Sequence, residues 1–157
     1  MEHQQHFSEE AVAGFIRELL AVQKLAVLST VRPDGHPYVT LVAFDWTRDL
    51  SRLVFVTPRA TRKFEHIQSE PHIALLVDNR SNRPEDFHEA MALTVLGLAR
   101  ECPTEACGRL RELFLERQAA LTEFVSSPAT ALVEVMVERY VLVRQFQNVL
   151  ELRMTAG

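Results

Sequence analysis

Apolar positions recur along the chain with two periods, which predict helices and strands in turn. From residue 8 to 22 the period is helical, with Ser8 as the capping residue and Glu9 and Glu10 matched to the dipole of the first turn. Short β-rich runs bounded by turn residues follow, and each predicts a strand. These runs are residues 25–31, 38–44, 53–57, 73–77, 90–99, 132–143 and 149–153. Two more helices are predicted, at 61–69 and 104–125.

The breaks between these runs indicate how the strands are joined. Gly35 ends a Pro-Asp-Gly turn that requires a positive φ. Gly97 lies inside a strand, which indicates a β-bulge or the close approach of another group. The run 73–77 is wholly apolar and is predicted to be buried on both faces. Short turns between so many strands favour an antiparallel barrel, so we expect a single mainly β or α+β domain over residues 1–157, with the barrel at about 24–153.

The helix at 61–69 begins with an unusual arrangement of charge. Thr61 is predicted to cap it through the side-chain hydroxyl, which places Arg62 and Lys63 in the first turn. A helix N-terminus already carries partial positive charge, so two cations there are repelled unless an anion lies among them. A phosphate would satisfy the cations and the unpaired amides together, whereas the simpler alternative is that both side chains extend into water. These residues alone do not identify the ligand.

Composition and charge exclude some classes of partner. The 157 residues are 47% hydrophobic and 24% charged, as in soluble globular proteins, and the formal net charge of -4 argues against general nucleic-acid binding. No apolar run approaches the length of a membrane-spanning helix, and the polar start Met1-Glu-His-Gln-Gln-His6 does not resemble a signal peptide. We therefore expect a cytoplasmic protein with neither nucleic acid nor membrane as a partner.

Cysteines and histidines offer little support for a metal or catalytic centre. Cys102 and Cys107 form a single pair, whereas a structural zinc site needs four ligands, so we interpret them as buried or idle thiols. The histidines beyond the first residues lack ligand spacing and are interpreted as surface or capping residues. They are His36, His66, His72 and His88. The sequence contains no recognisable Ser-His-Asp or Cys-His arrangement, so we predict no metal site and no indispensable catalytic side chain.

Three segments, taken in order, carry a family resemblance. They are Phe55-Val-Thr-Pro-Arg-Ala-Thr-Arg-Lys63, Ser69-Glu-Pro71 and Thr94-Val-Leu-Gly-Leu-Ala99. Together with the hairpin before them, they make the chain resemble the pyridoxamine 5'-phosphate oxidase-like family of FMN-binding split barrels over residues 25–101. The resemblance implies a six-stranded antiparallel split β-barrel with flanking helices. It also implies a homodimer that binds FMN in grooves between the two subunits.

The same resemblance assigns cofactor-binding residues in three places. The second strand would run along the isoalloxazine ring, the end of the third strand would lie near the ribityl chain or phosphate, and the helix start would bind the phosphate. In that order, the residues are Val39, Thr40 and Leu41; Val56 and Thr57; and Thr61, Arg62 and Lys63. For the second strand, ordinary strand packing is the alternative interpretation.

Two departures from the family pattern bear on function. The true oxidases end in a motif with tryptophan, arginine and histidine that holds the pyridoxal phosphate substrate, and residues 139–153 do not match it. The resemblance therefore does not extend to vitamin B6 oxidation. The second strand also lacks the arginine that the oxidases direct at the FMN phosphate, so the phosphate would rest on fewer charges unless Arg59 or a cation from the partner subunit substitutes for it.

We accordingly expect an FMN-dependent oxidoreductase that acts on an unidentified small molecule. The alternative is a non-catalytic binding protein that uses the same barrel to hold a deazaflavin or haem, or to sense a flavin. A third interpretation is a barrel without a ligand that serves as a dimeric interaction module.

Overall fold

The computed structural model describes residues 6–103, 105–145 and 147–155, which form seven antiparallel strands in one sheet. The strands are β1 (Leu25–Val31), β2 (Pro37–Trp46), β3 (Arg52–Pro58), β4 (His72–Asp78), β5 (Ala92–Glu101), β6 (Thr130–Arg144) and β7 (Asn148–Arg153). Their order across the sheet is β3-β2-β1-β4-β5-β6-β7, and β3 also pairs with β6. This last pairing closes six strands into a barrel, as predicted, and β7 extends the sheet beyond it.

Five helices flank the strands in the described part of the chain. They are α1 (Glu9–Val22), α2 (Arg62–Ser69), α3 (Asp86–Glu89), α4 (Cys107–Arg117) and α5 (Thr122–Ser126), with a short 3-10 turn at Ala119–Leu121. The predicted cap of α1 is confirmed, since the Ser8 hydroxyl accepts a hydrogen bond from the Ala11 amide at 3.2 Å. Among the described helices, none combines the length and the apolar character that crossing a membrane would require.

The long strand β6 makes barrel closure possible. Its first part pairs with β3, from Thr130 opposite Pro58 onward, and its last part pairs with β7, while β5 follows it along most of its length. The register of β5 against β6 shifts between Leu96 and Gly97, which confirms the predicted bulge. A Cβ atom on Gly97 would lie 2.4 Å from the Met136 carbonyl oxygen, so this close approach requires glycine.

The main core fills the barrel and continues under α1. Strand side chains alternate between the interior and the outside, and the largest fully buried ones include Phe44, Phe55 and Tyr140. Ile16 and Leu20 of α1 are completely buried in the same cluster. Burying each such aliphatic or aromatic side chain contributes about 1.5–3 kcal/mol. The apolar face of α1 thus packs on the barrel core.

A second apolar cluster lies between the barrel and helices α4 and α5. Leu110 and Phe114 of α4 and Val125 of α5 pack there against strand residues, including Val54 and Leu132. The prediction of one helix over 104–125 is wrong: Thr104 lies outside the described residues, and the helix is interrupted at Gln118, where φ is -120° and ψ is 48°. The Gln118 amide donates to the carbonyls of Lys24 and Phe44, and these tertiary bonds replace a continuing helix.

The strand at 73–77 is not buried on both faces. Ile73, Leu75 and Val77 are buried, whereas Ala74 and Leu76 between them are only partly covered. The alternation arises because one face of β4 points into the barrel, whereas the other lies on its outer surface.

Candidate functional site

The turn between β3 and α2 fixes the start of the helix in an unexpected way. Thr61 occupies the capping position, but its hydroxyl donates to the Pro58 carbonyl at 2.9 Å and lies 2.7 Å from the Thr57 hydroxyl. The predicted side-chain cap is therefore wrong, because the nearby carbonyl captures the hydroxyl. Among the described residues, no side chain accepts a hydrogen bond from the first amides of α2, and Glu65 is the acidic residue of its first turn.

Two cations stand at this uncapped helix start. Arg62 is exposed and Lys63 is partly buried, and burial lowers the pKa of the Lys63 ammonium group. Neither side chain has an acidic partner within 4.0 Å among the described residues. Both side chains stand in the first turn of α2, and their lack of an acidic partner is compatible with a bound anion and with cations that extend into water.

A buried polar pair anchors α2 from below. The Nδ1 atom of His66 lies 2.9 Å from the Thr30 hydroxyl, and the Tyr38 ring packs edge-on against the His66 ring at 5.2 Å between centroids. His66 is 6% exposed, so its interpretation as a surface or capping residue is wrong. The partner Thr30 lies on another element, 36 positions earlier, and helical spacing alone gives no signal of it.

The second strand presents two apolar side chains to the outside of the barrel. Val39 and Leu41 are 62% and 66% exposed, which is unusual for aliphatic residues inside a strand. Thr40 between them faces the opposite side, and its hydroxyl is buried without a hydrogen-bond partner in the described structure. Such an orphaned hydroxyl is available to a ligand or a bound water.

The barrel opens between this strand and β3. The two strands pair only where Phe44–Trp46 meets Leu53–Phe55, and they then separate, β2 continuing beside β1 and β3 beside β6. This separation is the split in the barrel. Helix α2 follows the end of β3 and packs on β1, and its His66 ring meets Tyr38 of β2, which lies on the strand face opposite to Val39 and Leu41.

The structure brings some of the predicted site residues together and not others. Thr57, Thr61, Arg62 and Lys63 share the junction of β3 and α2. Val56 lies apart from them, buried in the second apolar cluster under α4 and α5. The structure therefore gives Val56 a packing role.

Arg59, considered as a replacement for the missing second-strand arginine, is engaged elsewhere. Its guanidinium binds the Glu101 carboxylate, with Nε 3.0 Å from the nearer oxygen, and donates to the Pro128 carbonyl at 2.7 Å. These bonds hold the side chain toward β5 and the start of β6. Arg59 is thus tied to protein groups rather than left free like Arg62 and Lys63.

The two cysteines are neighbours in the second cluster. Both are buried, and the Cys107 thiol donates to the Cys102 carbonyl at 2.9 Å. Burial and the neighbouring thiol raise the pKa of Cys102 to about 12, so it stays protonated and unreactive at neutral pH. No group of three or more metal-ligating side chains converges within the described residues.

Comparison with known families identifies the chain. Residues 13–144 match the sequence profile of the pyridoxamine 5'-phosphate oxidase family. The chain belongs to this family. A search of functionally curated proteins found no match.

The solved structures that share this fold belong to proteins with different descriptions. A haem-binding protein from Mycobacterium smegmatis superposes with a TM-score of 0.81 at 15% identity, covering 94% of this chain and 59% of its own length. General stress protein 26 from Bacillus anthracis superposes with a TM-score of 0.70 at 21% identity, covering 91% of this chain and 98% of its own length. An FAD-binding protein from Mesorhizobium loti superposes with a TM-score of 0.68 at 17% identity, covering 83% of this chain and 90% of its own length. These identities establish a common fold and no more.

Proposed function

We propose that this family member is a flavoprotein that binds FMN noncovalently, with the FMN phosphate at the start of α2. The observation that carries the proposal is the helix N-terminus without a side-chain cap, with Arg62 and Lys63 beside it and no acidic partner of either within 4.0 Å among the described residues. A phosphate dianion accepts hydrogen bonds from the free amides and pairs with both cations. The Thr57 and Thr61 hydroxyls, 2.7 Å apart, border the same junction.

The flavin ring requires an apolar surface and a few polar groups. Val39 and Leu41 supply exposed aliphatic surface on β2, whereas the Thr40 hydroxyl, which has no partner within the described protein, lies on the opposite face of the strand. We assign the ring to this strand and the ribityl chain to the open side between it and Thr57. Val56 then supports the site from behind through the packed cluster rather than through contact.

We further propose that the protein is a homodimer and that the second subunit covers this surface. The strand register aligns Leu41, Val27 and Leu76 side by side across β2, β1 and β4 on the outside of the barrel. Leu25 on the same side of β1 is 56% exposed. A continuous apolar sheet face of this kind is unfavourable in water and suits a second copy of the chain.

In its oxidised and reduced forms, FMN supplies hydride or electron transfer, and the protein supplies binding and orientation. We therefore propose an oxidoreductase acting on a small molecule, with no side chain of its own serving as an indispensable acid or base. Pyridoxamine phosphate is not the proposed substrate, because residues 139–153 lack the substrate-binding motif of the true oxidases.

A second candidate function is non-catalytic binding of haem or a deazaflavin in the same barrel. The observation in its favour is the similarity in fold to the haem-binding protein from Mycobacterium smegmatis. Within the described residues, the His66 ring is hydrogen-bonded to Thr30. His36 and His72 lie next to the carboxylates of Asp34 and Glu70, respectively. None of these three histidines is therefore an unpaired ligand on the proposed ring surface. FMN therefore fits the side chains better than haem does.

The visible spectrum of the purified protein tests the proposal, followed by FMN titration if the protein is colourless. Flavin absorption, or saturation at one FMN per chain with a dissociation constant in the micromolar range or tighter, supports a flavoprotein. A Soret band, or the violet absorption of a deazaflavin, favours the second candidate. A protein that stays colourless and does not bind FMN contradicts the first.

A further inference from the structure

A second groove lies between the turn that joins β2 to β3 and helix α4. The groove has a volume of about 620 Å³. This lies within the range of about 300–1,000 Å³ that is typical of small-molecule sites. Arg48 and Arg52 line the turn side of the groove, and Arg109 lines the helix side. Leu113, one helical turn after Arg109, adds an apolar surface. The groove therefore combines guanidinium groups with an apolar wall.

The charges in this groove do not neutralise one another. Glu112 and Glu116 also line it, so three arginines and two glutamates leave a formal charge of +1. These five described side chains form no ion pair within 4.0 Å with one another. Arg48 and Arg109 also have no acidic partner elsewhere in the described residues. The groove thus offers unpaired guanidinium groups to a ligand with a single negative charge.

Arg52 is held in place by a buried carboxylate. Its Nη1 atom lies 3.5 Å from Oε2 of Glu134, a residue only 1% exposed, and the other oxygen of Glu134 accepts from Arg100 Nε at 2.6 Å. Glu134 is shared between two guanidinium groups and lies closer to Arg100 than to Arg52, so it neutralises Arg52 only in part. The Glu134 contact orients the Arg52 fork before any ligand binds.

The turn that carries Arg48 and Arg52 is strained and tightly fixed. Leu50, between them, has φ of 63°, which is rare for a bulky residue. The Tyr140 hydroxyl donates to the Leu50 carbonyl at 2.6 Å. The Asp49 carboxylate accepts hydrogen bonds from the hydroxyls of Thr47 and Ser51. Strain of this kind persists where the surroundings impose it and is frequent at ligand sites.

We propose that this groove binds an organic monocarboxylate with an apolar body. The guanidinium groups match the planar fork of a carboxylate, and Leu113 and the buried Leu110 provide the apolar contact. Glu112 and Glu116 on the helix wall disfavour multiply charged anions such as phosphate esters. The groove lies at the opposite end of β3 from Thr57, roughly 17 Å of extended chain away, so it is separate from the proposed FMN site.

The experiment titrates the isotope-labelled full chain with phenylbutyrate and follows backbone amide shifts by NMR. We expect saturable shifts confined to the turn and α4, with a dissociation constant below about 1 mM. Phenylbutanol, which lacks the charge, and acetate, which lacks the apolar body, should not saturate over the same range. Shifts centred on β2 or α2, or no saturation by phenylbutyrate, would overturn the proposal.

Variants locate the site independently. Arg48→Gln and Arg109→Gln, made singly and together, should each raise the dissociation constant of phenylbutyrate roughly tenfold, since each removes a charge-assisted contact. Both side chains are exposed, so the thermal melting of the variants should stay close to that of the wild type. Arg83→Gln, an exposed arginine in the loop before α3, is the charge-matched control. Equal weakening in the control, or no weakening in either groove variant, would overturn the proposal.

Discussion

The Nδ1 atom of His66 lies 2.9 Å from the hydroxyl of Thr30, and this buried bond ties helix α2 to strand β1. His66 is one turn after Arg62 and Lys63, so the bond fixes the direction in which the helix presents its first turn. Burial makes the bond consequential, because a buried polar group that loses its partner costs more than an exposed one.

We predict that Thr30→Val destabilises the protein. The two side chains have nearly the same shape, but valine leaves the buried His66 ring nitrogen without a partner, which should lower the free energy of unfolding by about 1–3 kcal/mol. Thr40→Val is the matched control, because the Thr40 hydroxyl is buried without any hydrogen bond to lose. Thermal or denaturant unfolding of both variants measures the difference. Equal losses in the two variants would contradict the role given to the bond.

Two glycine substitutions should shift stability in opposite directions. Gly97→Ala places a Cβ atom 2.4 Å from the Met136 carbonyl oxygen, a backbone atom that cannot move away cheaply, and should cost roughly 1–3 kcal/mol or more. Gly14→Ala lies in the interior of α1 with no atom within 4 Å of the new Cβ, and should stabilise the protein by about 0.5–1 kcal/mol. Urea unfolding of the two variants is the measurement. A stabilised Gly97→Ala would show that the bulge is not required.

Asp49 should contribute to the loss of stability in acid. Its carboxylate accepts from the Thr47 and Ser51 hydroxyls, both at 2.7 Å, and these bonds lower the pKa of Asp49 from 3.8 to about 2. Because the folded-state pKa is depressed, the stabilisation is present above pH 3.8 and is lost as the pH falls toward 2.

The variant Asp49→Asn tests this pH dependence. We expect a loss of only about 0.5–1 kcal/mol at neutral pH, since solvent screens this exposed group, and a smaller further decline between pH 4 and 2 than in the wild type. Unfolding curves across this range measure both quantities. Parallel pH profiles for wild type and variant would contradict the assignment.

The proposed dimer depends on the outer face of β2. Leu41→Lys places a charge in the apolar row formed by Leu41, Val27 and Leu76, and should shift the protein from dimer to monomer and weaken FMN binding with it. Phe87→Lys is the control, because Phe87 is 70% exposed on α3, away from that row. Analytical ultracentrifugation distinguishes the two. A Leu41→Lys variant that remains dimeric would place the interface elsewhere.

Local signals in the sequence predicted the framework well. Ser8 followed by two acids predicts a cap that the structure contains, and Gly35 after Pro-Asp adopts the positive φ of 85° that its turn requires. Gly97 inside a strand predicts a bulge or the close approach of another group, and the structure contains both. Each of these features depends on residues near one another in the sequence or on a conformational demand of a single residue.

Features set by distant partners could not be predicted in this way. The Thr61 hydroxyl binds the Pro58 carbonyl instead of capping α2, and the break at Gln118 follows from bonds to Lys24 and Phe44. His66 is buried because Thr30 meets it from another strand. Charge at the start of α2 could be predicted, since Arg62 and Lys63 are adjacent there, but the freedom of those cations depends on the absence of acids brought near by the fold.

The measurement that tests the central claim most directly compares the affinities for FMN and riboflavin, which differ only by the phosphate. The wild type should bind FMN about 10²–10³-fold more tightly, since each charge-assisted contact contributes about 1.5–3 kcal/mol. In the double variant Arg62→Ala, Lys63→Ala this preference should largely vanish while riboflavin affinity stays the same, and Arg83→Ala should retain it. Equal affinities for FMN and riboflavin in the wild type, or an undiminished preference in the double variant, would contradict the phosphate site at α2.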